Sequence, residues 1–203
     1  MQTYDIQVRP MGDFESDIHR KAAAVFVDGY GKELTFLSKD RERLIDTFSQ
    51  MICPDVFYLA ELDHEIVGIL ACSNNHKRAL TIDQTILRKS FGYVKGSLAY
   101  RFMKDEFNKK LPYQDDTGYI ESVATTGKAR GKGVSTTLFR YVLENASYQR
   151  YVLEVVDTNE NAYRLYTKLG FSEIERKKES FSKLKGFKER IYMELSVGTL
   201  YRH

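Results

Sequence analysis

Residues Lys128 to Thr137 read KARGKGVSTT, with three cations and two glycines ahead of a run of small hydroxylic and apolar residues. After a strand and before a helix, such a stretch binds anions. Free backbone N–H groups at a helix start, reinforced by the helix dipole, attract negative charge. Glycine lets the main chain approach phosphate oxygens without side-chain collision, and Arg130 adds a charged donor. Three common signatures fail on named residues. A Walker loop built on Gly131-Lys132 needs glycine where Thr126 stands and Ser or Thr where Gly133 stands. A dinucleotide fingerprint needs glycine at Thr136, and a hydrolase nucleophile elbow needs it at Thr137. The pattern that fits is Arg-x-x-Gly-x-Gly/Ala, carried by Arg130, Gly133 and Ser135.

A second stretch follows one strand later: Asn159-x-x-Ala162-x-x-Leu165-Tyr166-x-x-x-Gly170-Phe171. With both motifs in this order, the sequence resembles the GNAT family of acetyl-CoA-dependent N-acetyltransferases. The resemblance covers about residues 56 to 195 and is strongest from Tyr119 to Phe171. It departs at Ser135, where the family more often has glycine or alanine. The resemblance implies that acetyl-CoA is the co-substrate and that its pyrophosphate rests on the backbone of Gly131, Lys132, Gly133, Val134, Ser135 and Thr136. It further implies pantetheine pairing at Val123, Ala124 and Thr125, a cofactor contact from Asn159, and Tyr166 beside the thioester sulfur.

Direct transfer to an amine asks little of a protein. A free alkylamine has a pKa near ~10.4 and must lose a proton to attack, and a carboxylate acting through water can take it. Glu121, mid-strand beside the implied pantetheine contacts, is the candidate base; a solvated strand carboxylate is the alternative. Tyr166 is the candidate acid for the leaving thiolate, and backbone N–H groups near Val123 suit the oxyanion. The four histidines (His19, His64, His76, His203) show no metal-ligand spacing, so no metal is expected.

These groups need elements to hold them. Tyr4 to Val8 alternates as a strand does, and residues 13–28 and 39–50 carry apolar residues at helical spacing. FYLAEL (57–62) and IVGILACS (66–73) flank the polar corner DHE, a hairpin pattern. YIESVAT (119–125), a helical stretch over 134–147 and YVLEVV (151–156) give strand, helix, strand, the signature of a right-handed parallel crossover. Asp157 and Glu160 resemble a capping box, with Asn159 close to the same cap, for a helix that Gly170 ends. Strands over 171–178 and 188–195 follow. The expected fold is α/β (mixed α+β): a GNAT-type central mixed β-sheet of about six to seven strands flanked by helices. A helical insert, about 74–118, precedes the fourth strand, all within one domain over 1–203. The insert carries helical stretches at Asp83–Ser90 and Leu98–Phe107 with many aromatics, and reads either as a lid over the site or as a structural pack.

Composition bounds the partners. Of 203 residues 42% are hydrophobic and 29% charged, with a net charge of +3; interleaved charges of so mild a balance argue against nucleic acid and an anionic membrane as partners. No apolar run approaches the ~18 residues of a membrane span, and the first residues, MQTYDIQVRPMGDFESD, lack a secretory pattern. The expectation is a cytoplasmic protein with Cys53 and Cys72 as buried, reduced thiols. The acceptor, a small-molecule or peptide amine, would meet walls from Tyr30–Phe36, the insert and the loop 179–187, which carries Phe181, Lys183, Lys185 and Phe187 ahead of Lys188. A non-catalytic CoA-binding sensor is the alternative reading, and a homodimer is left open.

Overall fold

The computed structural model describes residues 4–15, 17–180 and 186–200. Strand β1 (Gln7–Pro10) leads into α1 (Ile18–Gly29), the single turn α2 (Gly31–Leu34) and α3 (Arg41–Ser49). The hairpin β2 (Phe57–Leu62) and β3 (Glu65–Ser73) follows, then α4 (Gln84–Phe91) and α5 (Tyr93–Phe107) of the insert. The rest is β4 (Thr117–Thr125), α6 (Val134–Asn145), β5 (Arg150–Val156), α7 (Glu160–Lys168), β6 (Ser172–Lys178), β7 (Glu189–Ser196) and α8 (Val197–Leu200). The strands form one seven-stranded sheet in the order β1-β2-β3-β4-β5-β7-β6. Among the described residues only β4 and β5 pair in parallel, joined by the α6 crossover that the strand–helix–strand pattern implied.

Alternation along the strands feeds two apolar layers, one on each face. Phe57, Leu59, Ile69 and Ala71 pack with α1, α3, α4 and α5, while Ala60, Leu62, Leu70 and Leu153 pack with Val134, Leu138 and Val142 of α6 and Tyr166 of α7. Close approach fixes where α6 lies: a Cβ on Gly68 of β3 would fall 2.4 Å from Val134 Cγ1, so only glycine lets the helix start sit there. The DHE corner turns through Asp63 (φ 53°) and His64 (φ 62°), two positive-φ residues as in type I′ hairpins.

Two expectations need correction. The first strand lies at 7–10, not 4–8, because β2 runs out of partners at the hairpin turn: Gln7 already faces Glu61, and Tyr4 and Ile6 precede the strand and pack on the α6-side core. The cap of α7 is Asn159, whose Oδ1 accepts from Ala162 N at 3.3 Å, and not Asp157. Asp157 still belongs to the sheet edge, with its N–H on Glu189 O and its Oδ1 accepting from Lys188 N.

The insert packs on itself and reaches the centre of the molecule. Gly96, Ala99 and Met103 of α5 are buried, whereas Val94, Leu98 and Phe102, on the opposite face, are 81%, 54% and 67% exposed. Among the described residues no helix is long and apolar enough to cross a membrane, and no group of His, Cys, Asp and Glu could hold a metal ion.

Candidate active site

The site begins where two parallel strands part. β4 and β5 pair from Thr117↔Arg150 to Ile120↔Leu153 and no further. Beyond that point β4 bonds only to β3, and β5 only to β7. A bulge drives them apart. Ile69 faces Ala124 and Ala71 faces Glu121, so Leu70 opposes both Ser122 and Val123. Ser122 takes φ 55°, a left-handed backbone that costs a non-glycine residue about 1–3 kcal/mol. The extra residue bends β4 away from β5 and leaves an opening flanked by Glu121, Val123, Ala124 and Thr125.

At the end of β4 the anion loop takes shape. Gly131 (φ 77°) and Gly133 (φ 87°) adopt backbone that L side chains resist, and nothing lies within 4 Å of a Cβ built on either. Gly133 is the N-cap of α6 and supplies no side-chain cap. Among the described residues the N–H groups of Gly131, Gly133, Val134, Ser135 and Thr136 therefore meet no acceptor; Thr137 N makes the first helical bond, to Gly133 O at 3.0 Å. Arg130 is exposed and has no ion-pair partner among these residues, while Lys132 lies over the Tyr4 ring. The buried Thr126 Oγ1 beside the loop also lacks a partner among the described residues. Five open N–H groups, a helix dipole and a free guanidinium fit a phosphate. Ser135 has its own reason for being there: its Oγ lies 3.1 Å from Thr125 Oγ1, tying the strand end to the helix start.

Two tyrosines lie in the layers on the two faces of the sheet. Tyr166 is 8% exposed and packs in the α6 layer against Phe139 (5.3 Å) and Phe171 (6.3 Å). Burial pushes its phenol up to about 12, so it stays protonated at neutral pH. Its hydroxyl has no hydrogen-bond partner among the described residues. Tyr30, between α1 and α2, packs on Phe26 in the other layer and donates to Val123 O at 3.4 Å. Burial, then Tyr166 and Glu121, push the Tyr30 phenol upward.

Glu121 is held more tightly than a solvated strand carboxylate would be. Its Oε1 accepts from Ser73 Oγ, from Ala79 N at 3.0 Å and from Arg78 Nε at 3.1 Å. Oε2 accepts from Arg78 Nη2 at 2.8 Å. Three donors saturate Oε1, and only Oε2 keeps a free lone pair. Arg78 also donates to Lys109 O and Glu106 O at the end of α5, so the insert is tied to the site. Tyr113 stacks on Tyr119 nearby, and Arg190, over the Phe187 ring, joins Glu154, Glu179 and Glu106.

The sequence-derived residues thus fall into two places. Arg130 to Thr136 form the loop; Glu121, Val123, Ala124 and Thr125 lie along β4 where it leaves β5, and Tyr166 lies in the α6 layer. Asn159 Oδ1 is spent on the α7 cap, and its Nδ2 has no partner among the described residues. Of the acceptor walls, Tyr30 and the insert reach the opening, while Phe36 is 50% exposed. Phe181, Lys183 and Lys185 lie outside the described residues. Sequence reasoning missed the Arg78 clamp and the Ser122 bulge.

The fold of the chain is shared with solved structures of acetyltransferases. The chain matches an N-acetyltransferase of Staphylococcus aureus at 22% identity and TM-score 0.56, covering 94% of this chain and 99% of that one. It matches the ribosomal-protein-S18-alanine N-acetyltransferase of Escherichia coli at 11% identity and TM-score 0.56, covering 95% and 94%. A GNAT-family acetyltransferase of Bacillus cereus matches at 12% identity and TM-score 0.56, covering 94% and 96%. At these identities the likeness concerns the fold. No curated protein matches the sequence. The chain belongs to the acetyltransferase (GNAT) family, whose family model matches residues 26–171.

Proposed function

We propose that this protein transfers an acetyl group from acetyl-CoA to a primary amine by direct attack. The observation that carries the reading is the pairing of an uncapped, glycine-opened α6 start with a neutral Tyr166 hydroxyl that has no partner among the described residues, in the layer that α6 packs. Acetyl-CoA supplies an activated thioester carbon; the open N–H groups of Gly131, Gly133, Val134, Ser135 and Thr136, with Arg130, would hold its phosphates, the N–H of Lys132 being spent on Ala129 O. Val123, Ala124 and Thr125 offer strand edge to its arm, and the free Nδ2 of Asn159 offers a donor. The new C–N bond forms as the C–S bond breaks. The amine proton leaves through water to Oε2 of Glu121, the one carboxylate oxygen with a lone pair to spare. The Tyr166 hydroxyl gives its proton to the departing sulfur. Backbone N–H at the bulge faces the negative charge that develops on the carbonyl oxygen.

The test is thiol release from acetyl-CoA across a panel of amines, with Tyr166→Phe alongside wild type. Turnover by wild type and a fall of about 10²-fold or more in the variant are expected. A protein stabilised by acetyl-CoA that releases no thiol with any amine would be a sensor rather than an enzyme.

A further inference from the structure

We propose that the exposed face of α5 rests on an anionic lipid surface, with Val94, Leu98 and Phe102 entering the headgroup region and the cations of the insert facing lipid phosphates. The proposal is independent of the transfer chemistry. α5 has two apolar faces. Gly96, Ala99 and Met103 are buried, and the helix cannot roll about its axis, because a Cβ on Gly96 would fall 2.5 Å from Leu87 O of α4. Val94, Leu98 and Phe102 are exposed and recur every four residues, so at ~3.6 residues per turn they make one ridge on the outward side. The same periodicity sets Lys95 and Arg101 on the two flanks of that ridge. Asp105, the acid of this face, stands past its end, a turn beyond Arg101.

Charge singles out the same element. From Gln84 to Lys110 the chain carries seven cations and two acids, a balance of +5, against +3 for all 203 residues. The chain outside the insert is therefore slightly acidic, and the chain-wide balance that argued against an anionic membrane averages two unlike surfaces. None of the seven cations pairs with a carboxylate among the described residues, although the exposed Arg20, Arg41, Lys77, Lys128 and Arg164 elsewhere all do. Of the two acids, Glu106 is engaged by Arg190. An apolar ridge flanked by spare cations is the pattern of a helix lying in a lipid interface. There the apolar side sinks ~5–10 Å into the headgroup boundary, and each Lys or Arg is drawn to anionic lipid. A protein partner fits less well. A stable protein interface takes about 800 Å² and roughly 20–30 residues from each side, whereas this ridge is three apolar residues long and one wide. Lipid needs no matching contour. Arg78 ties the C-terminal end of the same helix to Glu121, so docking would hold the candidate site close to the lipid.

The chain contains no tryptophan, so Phe102→Trp places a sole reporter on the ridge. It is titrated with vesicles of equal parts phosphatidylglycerol and phosphatidylcholine, and with vesicles of phosphatidylcholine alone, while wild type is followed by co-sedimentation with both. A saturable blue shift of the tryptophan emission and co-sedimentation of wild type are expected with the anionic vesicles, and neither with the neutral ones. Lys95→Gln/Arg101→Gln should weaken binding to the anionic vesicles about 30-fold, and Leu98→Asp about tenfold or more, with melting temperatures near that of wild type. Added salt should release wild type from the anionic vesicles, a measurement that needs no variant to fold. No blue shift and no co-sedimentation with anionic vesicles overturn the proposal. So do equal binding to neutral vesicles, binding that salt leaves unchanged, and binding that Leu98→Asp leaves intact. A wild-type dimer that Leu98→Asp turns into a monomer, with no vesicle binding, would assign the ridge to a second copy of this chain and overturn the lipid.

Discussion

Replacing Arg78 with methionine should destabilise the protein strongly, although Arg78 lies in no recognised motif. Its side chain and that of Glu121 are only 13% and 11% exposed, and the guanidinium makes two bonds to the carboxylate. It makes two more to the carbonyls of Lys109 and Glu106. Arg78→Met strands a buried carboxylate with Ser73 Oγ and Ala79 N as its remaining donors. Breaking one side of a buried ion pair costs about 3–5 kcal/mol. For a chain of this size each kcal/mol moves Tm by roughly 2–4 °C, so Tm should fall by about 6–20 °C. Replacing both partners removes the stranded charge, so Arg78→Met/Glu121→Leu should be less damaged than the sum of its single changes, with a coupling of about 2 kcal/mol. Urea denaturation of the four proteins at one pH measures it. Single effects that add to within about 0.5 kcal/mol, or an Arg78→Met variant as stable as wild type, would refute the clamp.

Alkaline pH should act through Tyr166. Its folded-state value of about 12 exceeds the ~10 of an unfolded tyrosine, so its stabilising contribution is complete below pH 10 and lost as pH rises from there toward 12. Urea melts between pH 9 and 11 should show the loss, and Tyr166→Phe should lessen the slope by about one proton, ~1.4 kcal/mol per pH unit at most; an unchanged slope contradicts the burial. Gly68→Ala would push against Val134 and Leu138, costing about 1–3 kcal/mol and weakening acetyl-CoA binding by moving the α6 start; normal stability and binding would show that the contact is not tight. Burial and the Glu121 charge push the Cys72 thiol up to about 12, so it should resist iodoacetamide at pH 8 in the folded protein and react once unfolded. Rapid native labelling of Cys72 would count against that environment.

How much of this was legible in the sequence depended on how local the cause was. The anion loop, the α6 crossover and the hairpin declare themselves within a few residues, through paired glycines, helical periodicity and the polar corner DHE. The α7 cap was legible only to within two positions, because Asp157 and Asn159 are equally good capping types and the choice depends on where β5 lets go of β7. The bulge left no trace, since serine at position 122 gives no sign of a left-handed backbone. Its cause is tertiary: β4 must serve β3 and β5 at once. Arg78 and Glu121 stand 43 positions apart, and Tyr30 and Val123 stand 93 apart, so only the folded sheet brings them together. Tyr166 was found through its motif, but the layer it comes from and the orphaned state of its hydroxyl are structural facts.

The most direct test of the whole account is calorimetric titration of acetyl-CoA into wild type and Gly133→Glu. Gly133 has φ 87° with open space where a side chain would go, so the substitution should cost only about 1–2 kcal/mol of backbone strain while placing a carboxylate where the phosphate is expected. The account predicts saturable binding by wild type and none by a variant that still melts cooperatively. Binding of equal affinity in both proteins would contradict it.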